Sequence, residues 1–311
     1  MEFGAHLPLM SWGDEVAPTT PGMAAYARLA NDSGFAWLGA NDHVVYGRPW
    51  LDGLVALASV LAESGSMTLA TTVGLPVVRG PGPFAKAMAA IDLLSGGRLV
   101  VGAGPGSSER DYRAMGIPWE ERWPRFEEAV RALRALLRPG GPAFEGTFYS
   151  TTGMELRPGP AREDGPPVWI GSWGSDAGLR RVARLAEGWL ASGYNTTADG
   201  FADALRRLRG YLEPEGKDPS RFPNALVSMF TFVTEVPAEA ERVLRDVLAP
   251  ALGRDAAELR DRLLVGPAGE CAERVARLEA AGAERILVWP VGDPLRQLEA
   301  FRDGVMSRLA G

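Results

Sequence analysis

The chain has 311 residues, of which 46% are hydrophobic and 23% charged, and its formal net charge is −6. The acidic balance argues against sequence-independent nucleic-acid binding, which needs clustered basic surface to displace counterions from phosphates. A single cysteine, Cys271, excludes an intrachain disulfide and a thiolate zinc cluster; its helical setting, GECAERVARLEAAG, predicts a buried thiol.

In chain order, short apolar runs bounded by Gly, Pro or polar clusters alternate with longer helical stretches, the pattern of parallel strands joined by helices. Strands are predicted over 3–9, 36–40, 67–75, 98–103, 168–172, 188–192, 225–234 and 285–289. Helices are predicted over 21–33, 51–64, 83–94, 123–137, 176–186, 198–212, 238–248 with 256–263, and 268–281, and a last one over 294–309 closes the chain. Eight strands, each followed by helix, is the count of a closed barrel, whereas an open doubly wound sheet usually has about five or six strands and two edges. The expected fold is therefore one α/β (β/α)8 barrel spanning 1–311. It carries two insertions: a polar and aromatic stretch at 144–160 after the fourth helix, a candidate hairpin, and a long helical segment after the seventh strand.

No run of eighteen apolar residues suggests a membrane span. The start, MEFGAHLPLM, lacks the basic and apolar regions of a secretory signal, so a cytoplasmic protein is expected. Basic and acidic residues alternate in RRLRGYLEPEGK and ERVLRDVL, as on solvated helix faces.

In a barrel the loops after the strands share one face, so polar residues just beyond strand ends become neighbours. The two histidines, His6 and His43, fall near the ends of the first and second strands; Asp42 precedes His43 in GANDHVV, and Glu109 follows the fourth strand in VVGAGPGSSERD. An imidazole and carboxylates in one cleft form a proton-transfer set. The competing reading is a histidine that caps a strand end beside an aspartate that starts a turn. Two histidines cannot build a multi-histidine zinc site, and HExxH, GxSxG and paired CxxC motifs are absent, so no metal is expected.

The glycine run 102–106 departs from a dinucleotide loop, because Ser107 stands where the third glycine belongs and a polar stretch follows in place of a helix. Its glycines either let backbone N–H groups approach an anion or a flat ring, or simply make a tight turn. A second turn, Gly171-Ser172-Trp173-Gly174-Ser175, leads into the helix near Asp176, where Ser175 or Asp176 is the N-cap and backbone N–H groups face a potential phosphate. Asp176 would compete with such an anion. Ser172 and Ser192 either add hydroxyl donors there or satisfy local backbone. His6, Trp12, Tyr46 and Trp50 are candidates for a substrate wall, with core or loop packing as the alternative for the aromatic residues.

Taken together, GFAWLGANDHVV, ATTVGLPVVRGPGPFAKAMAAIDLLSGGRLVVGAGPGSSE and PPVWIGSWGSDAGLRRVARLAEGWL resemble the luciferase-like flavin and deazaflavin oxidoreductases over nearly the whole chain. The block from Lys86 through LLSGGRLVVGAGPG is the most specific. The resemblance implies ring contacts from Asp42, Thr72 and Val73, with a nonproline cis peptide between Thr72 and Val73. It also implies phosphate contacts from Gly106, Ser107, Gly171, Ser172, Trp173 and Gly174, and proton transfer by His43 and Glu109. Trp173 departs from the small residue common in the family and narrows the pocket. The implied activity is F420-dependent hydride transfer to or from a small organic substrate in a homodimer. An FMN-dependent monooxygenase is the first alternative, and a noncatalytic cofactor-binding protein the second.

Overall fold

Side chains alternate between the two faces of a strand, and here one set of alternating positions is small or apolar enough to fill a barrel. The computed structural model describes residues 1–12 and 19–309. Its strands are β1 (Glu2–His6), β2 (Trp37–Ala40), β3 (Thr68–Thr71), β4 (Leu99–Ala103), β5 (Val168–Gly171), β6 (Trp189–Ser192), β7 (Asn224–Val233), β8 (Leu264–Gly266) and β9 (Arg285–Pro290). β1 through β7 pair in sequence, and β9 lies between β7 and β1, so eight parallel strands close into a ring. Trp37, Ala70, Val100, Trp169, Leu190 and Leu287 form the packed interior, and a larger apolar layer separates the strands from the surrounding helices.

The helices in chain order are α1 (Thr20–Asp32), α2 (Gly53–Ser59), α3 (Pro81–Leu94), α4 (Glu109–Ala114), α5 (Arg122–Leu137), α6 (Asp176–Leu185) and α7 (Ala198–Leu212). Beyond β7 come α8 (Pro237–Arg242), a π-helical stretch (Val243–Leu248), α9 (Ala249–Leu252) and α10 (Ala256–Arg262); α11 (Ala268–Ala280) and α12 (Pro294–Phe301) follow. Local caps set several starts. The Asp52 carboxylate accepts the amides of Leu54 and Val55 at 3.0 Å each, and Ser175 accepts that of Gly178. No helix among the described residues is long and apolar enough to cross a membrane.

The closed barrel and its two insertions match the sequence reading, with differences in detail. β1 and β3 end at His6 and Thr71, short of the predicted limits, because Leu7, Leu9 and Leu75 are buried as loop residues and so prolong the apolar run. The candidate hairpin is reduced to one antiparallel bridge, Glu145 to Ser150; the backbone N–H groups of Thr147 and Phe148 bond to the Glu128 carboxylate instead of to a partner strand. β8, not anticipated, pairs with the far end of β7 outside the ring. Cys271 is fully buried and burial pushes its thiol up to about 12, which keeps it protonated and unreactive.

Candidate active site

The loops at the carboxyl ends of β2 through β7 surround a cavity of about 430 Å³, within the range of small-molecule sites. The loop after β2 brings Asp42 and His43 to it, and the turn after β3 brings Thr72 and Val73. Gly106 and Ser107 enter after β4, Gly171, Ser172 and Trp173 at the end of β5, and Ser192 from β6. The Thr72–Val73 peptide is cis, as the resemblance implies.

His43 is anchored through Nδ1, which lies 2.7 Å from Oδ2 of Asp111. The other carboxylate oxygen of Asp111 accepts the backbone N–H groups of Val44 and Val45 at 2.9 and 2.6 Å. Burial opposes ionisation of Asp111, but the His43 hydrogen bond and the two amides outweigh it and hold the carboxyl below its ordinary range. Among the described residues His43 Nε2 has no hydrogen-bond partner, and the residue lines the cavity. The structure does not bring Glu109 there. Glu109 is exposed and pairs with Arg113 one turn along α4. Asp111, two residues further on, holds the position beside His43 instead, since adjacent helix residues are about 100° apart and a two-residue step reverses the face.

Asp42 borders the cavity, but its carboxylate is engaged behind it. Both oxygens accept from Arg79, Nε at 2.7 Å and a terminal nitrogen at 2.6 Å, and the same nitrogen reaches Asp52 at 2.7 Å. Arg79 thus ties the His43 loop to the start of α2.

Tyr46 and Trp50 pack on His43 with ring centroids 4.4 and 4.6 Å away, so they support the imidazole from outside the cavity lining. His6 is fully enclosed and stacks on Trp289 at 3.6 Å; its Nδ1 lies 2.7 Å from the Leu7 carbonyl. Burial lowers its pKa to about 3, against the smaller raising effect of that carbonyl, so His6 is neutral and sealed off from a ligand in the cavity. Trp12 packs on Phe230 and donates to the Pro290 carbonyl at 3.2 Å. These four aromatic and imidazole side chains form the scaffold beside the site and do not line it.

At the glycine turns, Gly104 and Gly171 face Val73. A Cβ on Gly104 would stand 2.6 Å from Val73 Cγ2, and one on Gly171 3.0 Å from Cγ1, so the two glycines make room for the Val73 side chain at the cavity wall. Ser172 Oγ accepts the Gly174 amide at 3.3 Å, and Gly174 itself stays off the cavity lining. Asp176 turns away to pair with Arg207, which removes the competing carboxylate. Arg122 and Arg181, not anticipated from the sequence, line the cavity with their guanidinium groups over Trp119 and Trp123, at 4.2 and 4.4 Å. Ser228 also lines it, at a positive φ of 55°, where the β7 to β9 register shifts. That irregularity re-aims the side chain, as bulges near sites commonly do.

The donor set fits a flavin or deazaflavin. Thr72 Oγ1 and Asn41 Oδ1 are buried without a partner among the described residues, on side chains that line the cavity, which suits the heteroatom edge of a ring. Hydroxyls and guanidinium groups are present for an anionic tail. A closed parallel barrel with such a cavity at its strand carboxyl ends has the plan of a barrel enzyme. The chain belongs to the luciferase-like monooxygenase family, whose model matches residues 1–285. It is 30% identical over 193 residues to an FMNH(2)-dependent dimethylsulfone monooxygenase of Pseudomonas putida, covering 59% of this chain and 51% of that protein. It is 28% identical over 235 residues to an F420-dependent glucose-6-phosphate dehydrogenase of Nakamurella multipartita, covering 72% of this chain and 66% of that protein. The chain thus spans roughly half to two thirds of the length of these relatives. The monooxygenase RslO1 of Streptomyces bottropensis shares the fold at a TM-score of 0.84 and 22% identity, over 99% of this chain and all of that one.

Proposed function

We propose that the chain is an F420-dependent oxidoreductase that moves hydride between the deazaflavin and a small organic substrate. The observation that carries this reading is the meeting of three chemistries in one cavity. An imidazole whose Nε2 has no partner among the described residues, the Val73 side chain and two arginines all border the same space. When bound, a deazaflavin supplies the hydride acceptor or donor. Thr72 and Asn41 would meet its ring edge, and Ser107, Ser172, Arg122 and Arg181 its anionic tail. His43 Nε2 would take up or return the substrate proton that accompanies hydride transfer. Arg122 and Arg181 both border the cavity, Arg181 with its Nε already paired to Glu127 at 3.0 Å, and their remaining N–H donors support a cofactor with an extended anionic tail.

The second reading, a monooxygenase that uses reduced FMN, is favoured by the identity to the Pseudomonas putida relative. Anaerobic incubation with oxidised F420 and a panel of small alcohols distinguishes the two. Loss of the deazaflavin absorbance without oxygen is expected. Turnover only with reduced FMN and oxygen would put the second reading in place of the first.

A further inference from the structure

Asp111 does more than accept one hydrogen bond, because its two oxygens are committed to different donors. Oδ1 receives the amides of Val44 and Val45, which can only donate, and Oδ2 is left for His43 Nδ1 at 2.7 Å. A carboxylate held this way has no proton to give, so in the neutral imidazole the ring proton must sit on Nδ1. The lone pair is then on Nε2, the nitrogen with no partner among the described residues. We infer that Asp111 is the positioning residue that fixes the His43 tautomer and presents Nε2 to the cavity as a proton acceptor. The inference builds on the proposed role of His43 and assigns the residue that makes the role possible.

The same amides make a sharp test available. In Asp111→Asn the two backbone donors still require an oxygen, so they claim the amide Oδ1 and turn the NH2 group toward His43. Nδ1 then becomes the acceptor, and the ring proton moves to Nε2. The variant is nearly isosteric and keeps the loop anchored, yet it inverts the imidazole. With no proton acceptor facing the cavity, turnover should fall by about 100-fold or more, the usual size of a general acid–base contribution. Cofactor affinity, which does not use Asp111, should stay within about twofold.

With only two histidines in the chain, long-range proton–nitrogen NMR on nitrogen-15-labelled full-length protein at neutral pH reads the tautomer directly. His6, with Nδ1 on the Leu7 carbonyl, serves as an internal reference. The expected result is a protonated Nδ1 on His43 in the natural chain and a protonated Nε2 in Asp111→Asn. A natural chain with the proton on Nε2, or a folded variant whose tautomer is unchanged, would overturn the inference. If the variant does not fold, the spectrum of the natural chain decides alone. The NMR result requires neither cofactor nor substrate, so failure of the F420 reading shows separately, as absence of cofactor binding with the tautomers as expected.

Discussion

Arg79 grips the Asp42 carboxylate with two nitrogens, at 2.7 and 2.6 Å, while Asp42 itself is 1% exposed. The aspartate of the Asp-His pair is thus a structural strut for the loop that carries His43. Replacing Arg79 with Met strands a buried carboxylate, a change that typically costs about 3–5 kcal/mol. Arg79→Lys keeps the charge but loses the fork that serves Asp42 and Asp52 together, so it should fall between the two. Urea denaturation midpoints order the three proteins; equal midpoints would show that the pair contributes nothing to the loop.

The buried His6 makes stability depend on pH. In the native state burial holds its pKa at about 3, against the ordinary 6.5 of an exposed imidazole. Below pH 6.5 the unfolded chain therefore binds a proton that the native chain refuses, so stability is full above that value and declines as pH falls toward 3. His6→Phe keeps the stack on Trp289 and removes this proton uptake. Unfolding free energies measured between pH 7 and 4 should fall more steeply for the natural chain than for the variant. Parallel curves would show that His6 already carries its proton in the folded state.

Glu109→Gln removes an exposed carboxylate paired only with Arg113. Cofactor binding and turnover should change by less than about twofold, whereas His43→Ala should retain binding and lose about 100-fold in turnover. Steady-state kinetics with the cofactor and an identified substrate check both. A loss for Glu109→Gln as large as for His43→Ala would return the proton-transfer role to Glu109.

Gly210 lies inside α7, and a Cβ there would meet nothing within 4 Å. Gly210→Ala should stabilise the protein by about 0.5–1 kcal/mol, since alanine restricts the unfolded chain and favours helix. A small rise in thermal midpoint is the expected reading, and a fall would mean that the helix face meets a neighbour.

The barrel was legible because its signal is repeated: eight apolar runs in alternation with helices survive errors of several residues at any one boundary. His43 was legible because strand ends face one mouth, so that loop residues far apart in sequence become neighbours, whereas Thr72 and Val73 follow only from the family resemblance. Arg79 and Asp111 were not, because each meets its partner across 37 or 68 residues of chain, and no local pattern marks such a pairing. Asp111 carries no mark of its own in the sequence, where the segment after the fourth strand reads as a polar stretch. Without the short helix α4, nothing in the sequence decides which of two nearby carboxylates faces inward. Arg122 and Arg181 stand in helical segments with no motif of their own, and only tertiary packing brings them to the cavity.

Titration of the purified protein with F420 and with FMN separately, followed by cofactor fluorescence, tests the central claim most directly. The account predicts saturable binding of F420 that is lost in Gly104→Val, where a branched side chain would displace Val73 from its place in the cavity wall, with the variant still folded by circular dichroism. Binding of FMN alone, or of neither cofactor, would contradict it.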